Sequence, residues 1–149
     1  MPANTSPVFS ITPNANPVAV TAANTKSDGT GTIGTDIFLA FTAGSNGSWV
    51  SKVRVSTVAT AAATTSTGTV GRIYLSTKTS GATTGGTDTF QIAEFAIPSV
   101  VADHSANNLS PLEVPISWAL KSGQTILVST HAAPAANTGQ HFIVVGGDY

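Results

Sequence analysis

The segment SWVSKVRVSTV (48–58) sets apolar and polar residues in near-strict alternation. Trp49, Ser51, Val53, Val55 and Thr57 fall on one face, and Lys52, Arg54 and Ser56 on the other. A period of two puts successive side chains on opposite faces of a pleated strand and leaves no apolar stripe for a helix to bury. On this reading Trp49 belongs to the core beside Val53 and Val55. Most other apolar runs are short, β-branched or aromatic, and bounded by Gly, Pro, Asn or Ser: PVFSI (7–11), PVAVT (17–21), DIFLAFTA (36–43), TVGRIYLST (69–77), TFQIAEFAI (89–97), PLEVPIS (111–117), QTILVSTH (124–131) and QHFIVVG (140–146). That punctuation predicts strands and turns along the whole chain.

Details of phase refine the expectation. In TFQIAEFAI the apolar positions step oddly from Phe90 and Ile92 to Phe95 and Ile97, which a β-bulge near Ala93 or Glu94 absorbs. In PLEVPIS, Pro115 cannot donate to a ladder, so the segment is expected at a sheet edge. SWALKSG (117–123) has the composition of one helical turn before its Gly stop. Many short strands with almost no helix predict an all-β, single-domain antiparallel β-sandwich, jelly-roll-like, over residues 17–149, preceded by an extended N-terminal arm over 1–16. ATAAATTSTG (59–68) and STKTSGATTGGTD (76–88) are read as exposed loops.

Composition removes several function classes. Six Lys and Arg stand against seven Asp and Glu, too few cations to displace counterions from a polyphosphate, so no nucleic acid is expected as a partner. No run of 18 apolar residues is present, so no membrane partner is expected, and the opening MPANTSPVFS lacks the basic and apolar regions of a secretory signal. With no Cys there is no disulfide, thiolate metal site or cysteine nucleophile. Charged residues make up 9% of the chain, against about 25% in an ordinary domain. A surface kept soluble by Thr, Ser and Asn loses little solvation when it is covered, which favours contact with other subunits or a larger particle.

No motif with reactive chemistry survives its context. GTGTIG (29–34) has the Gly-x-Gly-x-x-Gly spacing of dinucleotide sites, but a strand-like run follows it where a helix N-terminus is required. It is read instead as a flexible connection. His104, His131 and His141 lack the close spacing of a metal-binding pair. Asp103-His104-Ser105 has the residue types of a hydrolase triad, but contiguous residues cannot form its sequential hydrogen bonds. Glu94 and Glu113 are placed by strand positions rather than as a glycosidase pair, and Trp49, Trp118, Tyr74 and Tyr149 are the candidates for a sugar-stacking platform, with Trp49 read as core in preference. Three Asn-x-Ser triplets, at Asn4, Asn46 and Asn108, fit the glycosylation pattern only by its shortness. No catalytic residue, cofactor or metal is expected, and the chain is read as not an enzyme.

The ordered phrases TAANTKSDGTGT, FTAGSNGSWVSKVRV, ALKSGQTILVSTH and the final GGDY resemble a family of short, Cys-free proteins of tailed bacteriophages, over roughly residues 17–149. The resemblance implies a capsid decoration, or cement, protein located on the virion and made in the host cytoplasm. Its implied partners are the major capsid protein and further copies of itself in a homotrimer, and it supplies no catalytic position. Pro7, Phe9 and Pro13 of the arm are the expected capsid or oligomer contacts. The competing expectation is a carbohydrate- or receptor-binding module on a phage tail or other surface.

Overall fold

The structure, a computed structural model, describes residues 12–103, 105 and 111–149. Two four-stranded antiparallel sheets face each other. Sheet A joins β1 (Thr12–Val20), β12 (Thr138–Asp148), β4 (Ser48–Ala59) and β10 (Leu112–Leu120) in that spatial order. Sheet B joins β3 (Phe38–Thr42), β11 (Thr125–Thr130), β6 (Thr69–Ser76) and β8 (Thr89–Ile97). The pairs β1–β12, β3–β11, β4–β10 and β6–β8 are nested around the β6–β8 hairpin, as though one long hairpin had been rolled up. Rolling creates the two remaining ladders, β12–β4 and β11–β6. This is the jelly-roll topology, so the expected fold class is the observed one. Two short ladders complete it: β2 (Gly31–Thr32) with β7 (Ala82–Thr83), and β5 (Thr64–Thr65) with β9 (Val101–Ala102).

The core lies between the sheets. Val20, Val50, Val53, Val55, Phe142 and Val144 from sheet A meet Phe41, Ile73, Ile97, Ile126 and Val128 from sheet B, and the Phe95 and Phe142 rings pack at 6.3 Å. Burying each such side chain contributes about 1.5–3 kcal/mol. β1 runs close against β3 and closes that side of the sandwich. The opposite side, between the edge strands β8 and β10, is a groove.

Three local expectations change. Trp49 is 40% exposed, and Val50 takes the core position instead. The cause is a bulge: Lys52 pairs with Val145 and Val50 with Gly146, so Ser51 is an extra residue and the phase of β4 reverses across it. The second change is SWALKSG, whose first four residues finish β10 rather than starting a helical turn, because Trp118, Ala119 and Leu120 pair with Val50, Trp49 and Ser48. β10 carries its own irregularity between Pro115 and Trp118, with Ser117 at φ +52°. Thirdly, β1 starts at Thr12, so residues 12–16 of the segment read as an arm are paired with β12. The expected bulge in β8 is present at Ile92, which has no partner between Ala93 opposite Ile73 and Gln91 opposite Tyr74.

The loops read as open connections are held. Ser66 is buried, its N–H donates to the Val100 carbonyl and its hydroxyl accepts from the Val100 amide. Every residue of β11 is buried, which requires cover on both faces of sheet B. The inner cover is sheet A. The outer cover is built from the two Gly- and Thr-rich segments that surround β2 and β7.

Candidate functional site

The outer layer answers what GTGTIG does. Arg72 and Tyr74 sit on β6 facing away from the main core, and both are buried. The Arg72 guanidinium donates through Nη1 to the carbonyls of Asn24 (3.0 Å) and Lys26 (3.3 Å), and through Nε to Glu94 (2.8 Å). The Tyr74 hydroxyl bonds Ser129 Oγ at 3.0 Å, and burial raises the phenol above its ordinary pKa. Ile37, Tyr74 and Leu127 form a second small apolar cluster, with Ile33 and Leu39 against it.

Within this cap four of the six amides that a phosphate would need are already used. Thr30 N–H donates to Asp28 Oδ1, Thr32 N–H to Asp36 Oδ1, Ile33 N–H to the Gly81 carbonyl and Gly34 N–H to the Ile37 carbonyl. The Thr83 hydroxyl donates to the carbonyls of Gly29 (2.7 Å) and Gly31 (3.3 Å). Gly29 adopts φ +93°, and a Cβ on Gly31 would come within 3 Å of Asp36, Asn24 and Ile37. The glycines therefore permit a close-packed lid on sheet B. They leave no anion cradle, and the reading of this stretch as a flexible connection is corrected.

Asp28 and Asp88 anchor the two halves of the lid. Backbone hydrogen bonds from Thr30 and Thr84 respectively are the main reason each carboxyl is held below its ordinary value, with the Thr30 and Thr89 hydroxyls adding to it.

The remaining candidates do not converge. Glu94 pairs with Arg72 on the outer face of sheet B, whereas Glu113 pairs with Lys52 Nζ at 2.8 Å on the outer face of sheet A. The sandwich separates them, and no cleft lies between them for a sugar. The Lys52 hydrogen bond holds Glu113 below its ordinary pKa. Ser105 donates from both N–H and hydroxyl to Asp103 Oδ1, which ties up the oxygen a base would need, and His104 lies outside the described residues. His131 and His141 are exposed at different places, one just beyond β11 and one on β12 opposite Ser56. Among the described residues no three His, Asp or Glu side chains are grouped to hold a metal. Pro7 and Phe9 lie outside the described residues. Pro13 is exposed in β1, opposite Gly147.

What the structure does bring together is apolar and lies on the open side of the sandwich. Trp118 pairs with Val50 and Phe90 with Leu75, so both point toward the interior, yet each belongs to an edge strand and remains about half exposed, at 48% and 49%. Ile92 and Ala93 of β8 face Pro115, Ile116 and Trp118 of β10 across a groove of about 250 Å³. Further along, Ile97 and Pro98 stand beside Leu112 and Val55 in a second hollow. Exposed aromatic surface next to concave apolar surface is the usual composition of a contact between proteins. The sequence reading has Phe90 in a strand, and Trp118 in a helical turn and among the sugar-stacking candidates. The signal available for the groove was Pro115, which marks an edge three residues before Trp118.

The GGDY terminus closes the corner where β1, β4 and β12 meet. Asp148 accepts from the Ser48 hydroxyl and from Asn14 Nδ2 (3.3 Å), Ser48 Oγ accepts from Gly44 N–H, and Tyr149 N–H donates to the Gly47 carbonyl. A Cβ on Gly146 would strike the Trp49 carbonyl, so the bulge in β4 requires a glycine opposite it. Two of the phrases that carry the phage resemblance, FTAGSNGSWVSKVRV and GGDY, are thus the two sides of one structural corner. No family model, curated protein or solved structure matches the chain.

Proposed function

We propose that the protein is a bacteriophage virion structural protein, a capsid decoration or cement protein that binds the capsid surface as a homotrimer and bridges capsomers. It carries out no reaction and needs no cofactor in this reading. The observation that carries the proposal is the apolar edge formed by Phe90, Ile92, Pro115, Ile116 and Trp118 on an otherwise lightly charged jelly roll. Trp and Phe anchors in a hollow are the groups that contribute most to association between proteins. A low charge density lets large areas be covered at small desolvation cost. The resemblance of the quoted phrases to phage proteins supplies the partner, the major capsid protein, and the virion location. In a trimer, several modest contacts made at once give durable attachment.

The test is cryo-electron microscopy of the native particle together with co-sedimentation of purified protein with undecorated capsids. Density for the jelly roll at lattice positions between capsomers, with saturable binding, is expected. Density confined to the tail, or no co-sedimentation, would overturn the proposal.

Exposure of Trp118 also favours the second reading, a carbohydrate- or receptor-binding module. Sugar sites add hydrogen-bonding groups around a stacking ring, and the groove beside Trp118 is lined by Ile92, Ala93, Pro115 and Ile116. Of the other platform candidates Tyr74 is buried, Tyr149 is half-buried and Trp49 is exposed at the opposite phase of β4 from Val50. A glycan array with a specific binder that competes at Trp118 would make this the better reading.

A further inference from the structure

Three of the four outermost strands of the two main sheets have a defence against a passing strand. β1 carries Pro13 and Pro17, four residues apart and in the same phase, so one side of the strand lacks two donors. β10 carries Pro115 and the irregularity through Ser117. β3 lies against β1. β8 has no proline over its nine residues, and among the described residues no strand pairs with its outer edge. Beyond Thr89, which is bridged to Gly85 and accepts from Gly86 N–H, that edge runs beside the groove lined by Ile92, Ala93, Pro115, Ile116 and Trp118. An added strand there would satisfy backbone groups on one side and turn alternate side chains into the gap between the sheets.

The chain contains a segment of the right kind. PVFSI (7–11) places Pro7, Phe9 and Ile11 in one phase and Val8 and Ser10 in the other, giving an apolar face. Its covalent anchor, Thr12, sits on the far side of sheet A from the groove of its own molecule. Thr12 pairs with Asp148, Asp148 with Ser48 and Ser48 with Leu120, so Thr12 is three strands away from β10, roughly 14 Å at the usual strand spacing. Ile11 is one peptide from Thr12, about 3.8 Å between Cα atoms. We propose that residues 7–11 of one copy add as a strand along β8 of a second copy, with Phe9 and Ile11 seated in the groove against Trp118, Ile116 and Ile92.

The donor and acceptor surfaces differ, so the contact is head-to-tail, and it closes when three copies form a ring. This rests on the trimer and the arm of the proposed function but not on the capsid. Failure of self-association and failure of capsid attachment are therefore separate results.

The test uses the purified full chain without capsids. Because the protein has no Cys, Ser10→Cys supplies a single attachment point for a photo-crosslinker while leaving Phe9 in place. With an equal mixture of isotope-labelled and unlabelled protein, crosslinks from position 10 are expected to join different molecules and to map to β8 or β10. Phe9→Asp and Trp118→Ala should each raise the dissociation constant of the oligomer by at least about tenfold, with circular dichroism unchanged. Crosslinks confined to the same molecule, crosslinks to another face, or an oligomer that persists after deletion of residues 1–11 would each overturn the proposal. A chain that stays monomeric at all concentrations would do so as well.

Discussion

Arg72 does at one position what a hydrophobic residue cannot. Its stem is buried on the outer face of β6 and its guanidinium satisfies two carbonyls of the lid while pairing with Glu94. Replacing it with Ala leaves the Asn24 and Lys26 carbonyls without their donor, whereas Glu94 is exposed enough to be solvated. Arg72→Ala is therefore expected to cost about 2–3 kcal/mol, read as a shift in the midpoint of urea unfolding; a change under half a kcal/mol would contradict the clamp. Asp28 and Asp88 give the lid a pH dependence of known sign. Both carboxyls are held below the ordinary 3.8 by native hydrogen bonds. Their contribution is complete above the unfolded-state pKa and is lost as pH falls through the lower folded one. The Thr30 and Thr84 amide resonances should report this, with midpoints below 3.8. Titration at or above that value would show that the bonds are not made in solution.

At the scale of elements, edges and bulges decide what the sandwich can join. A proline in β10 is tolerated only with its nitrogen turned away from β4, which removes a donor from the open edge. Pro115→Val restores that donor and is expected to increase concentration-dependent light scattering; unchanged scattering would mean that the irregularity at Ser117 protects the edge by itself. The main strands were legible in the sequence because their punctuation and period were clear, and the bulge in β8 because two apolar phases conflicted there. The bulge at Ser51 was not. Trp49 and Val50 are both apolar, so alternation can run through either, and the choice is made by Gly146 on a strand nearly a hundred residues later. SWALKSG was misread because Ala, Leu and Lys favour a helix locally and pairing with β4 overrides them. The lid was invisible for a related reason, since its bonds join residues about fifty positions apart, such as Gly29 to Thr83 and Asn24 to Arg72. One clue was present: the uninterrupted apolar run ILV in β11 marks a strand covered on both faces. Of the apolar groove only the β10 edge was legible, from Pro115, because that β8 is also an edge and faces it is set by the rolling of the chain.

The described residues form a jelly roll with one closed side, one open side and a lid on sheet B. On the proposed function, attachment to a capsid through such a surface would rest on apolar area and shape rather than on charge. Occupancy of capsids is accordingly expected to change less than about threefold between 50 and 500 mM salt, because few ion pairs are available to be screened. A steep loss over that range, measured by co-sedimentation, would point to the few charged residues, Lys52, Arg54 and Glu113 on sheet A first. The nesting of strands also governs how the molecule is made. β12 is inserted between β1 and β4, and Thr12 is paired with Asp148 across nearly the whole chain. Sheet A cannot be assembled stepwise as the chain emerges from the ribosome, and β1 must wait without its ladder until β12 arrives. Such dominance of distant pairings places folding in the slow range for small domains, from milliseconds to seconds or longer. During that interval the strand edges are shielded chiefly by the prolines at 13, 17 and 115, so those residues guard the nascent chain before they shape the finished one.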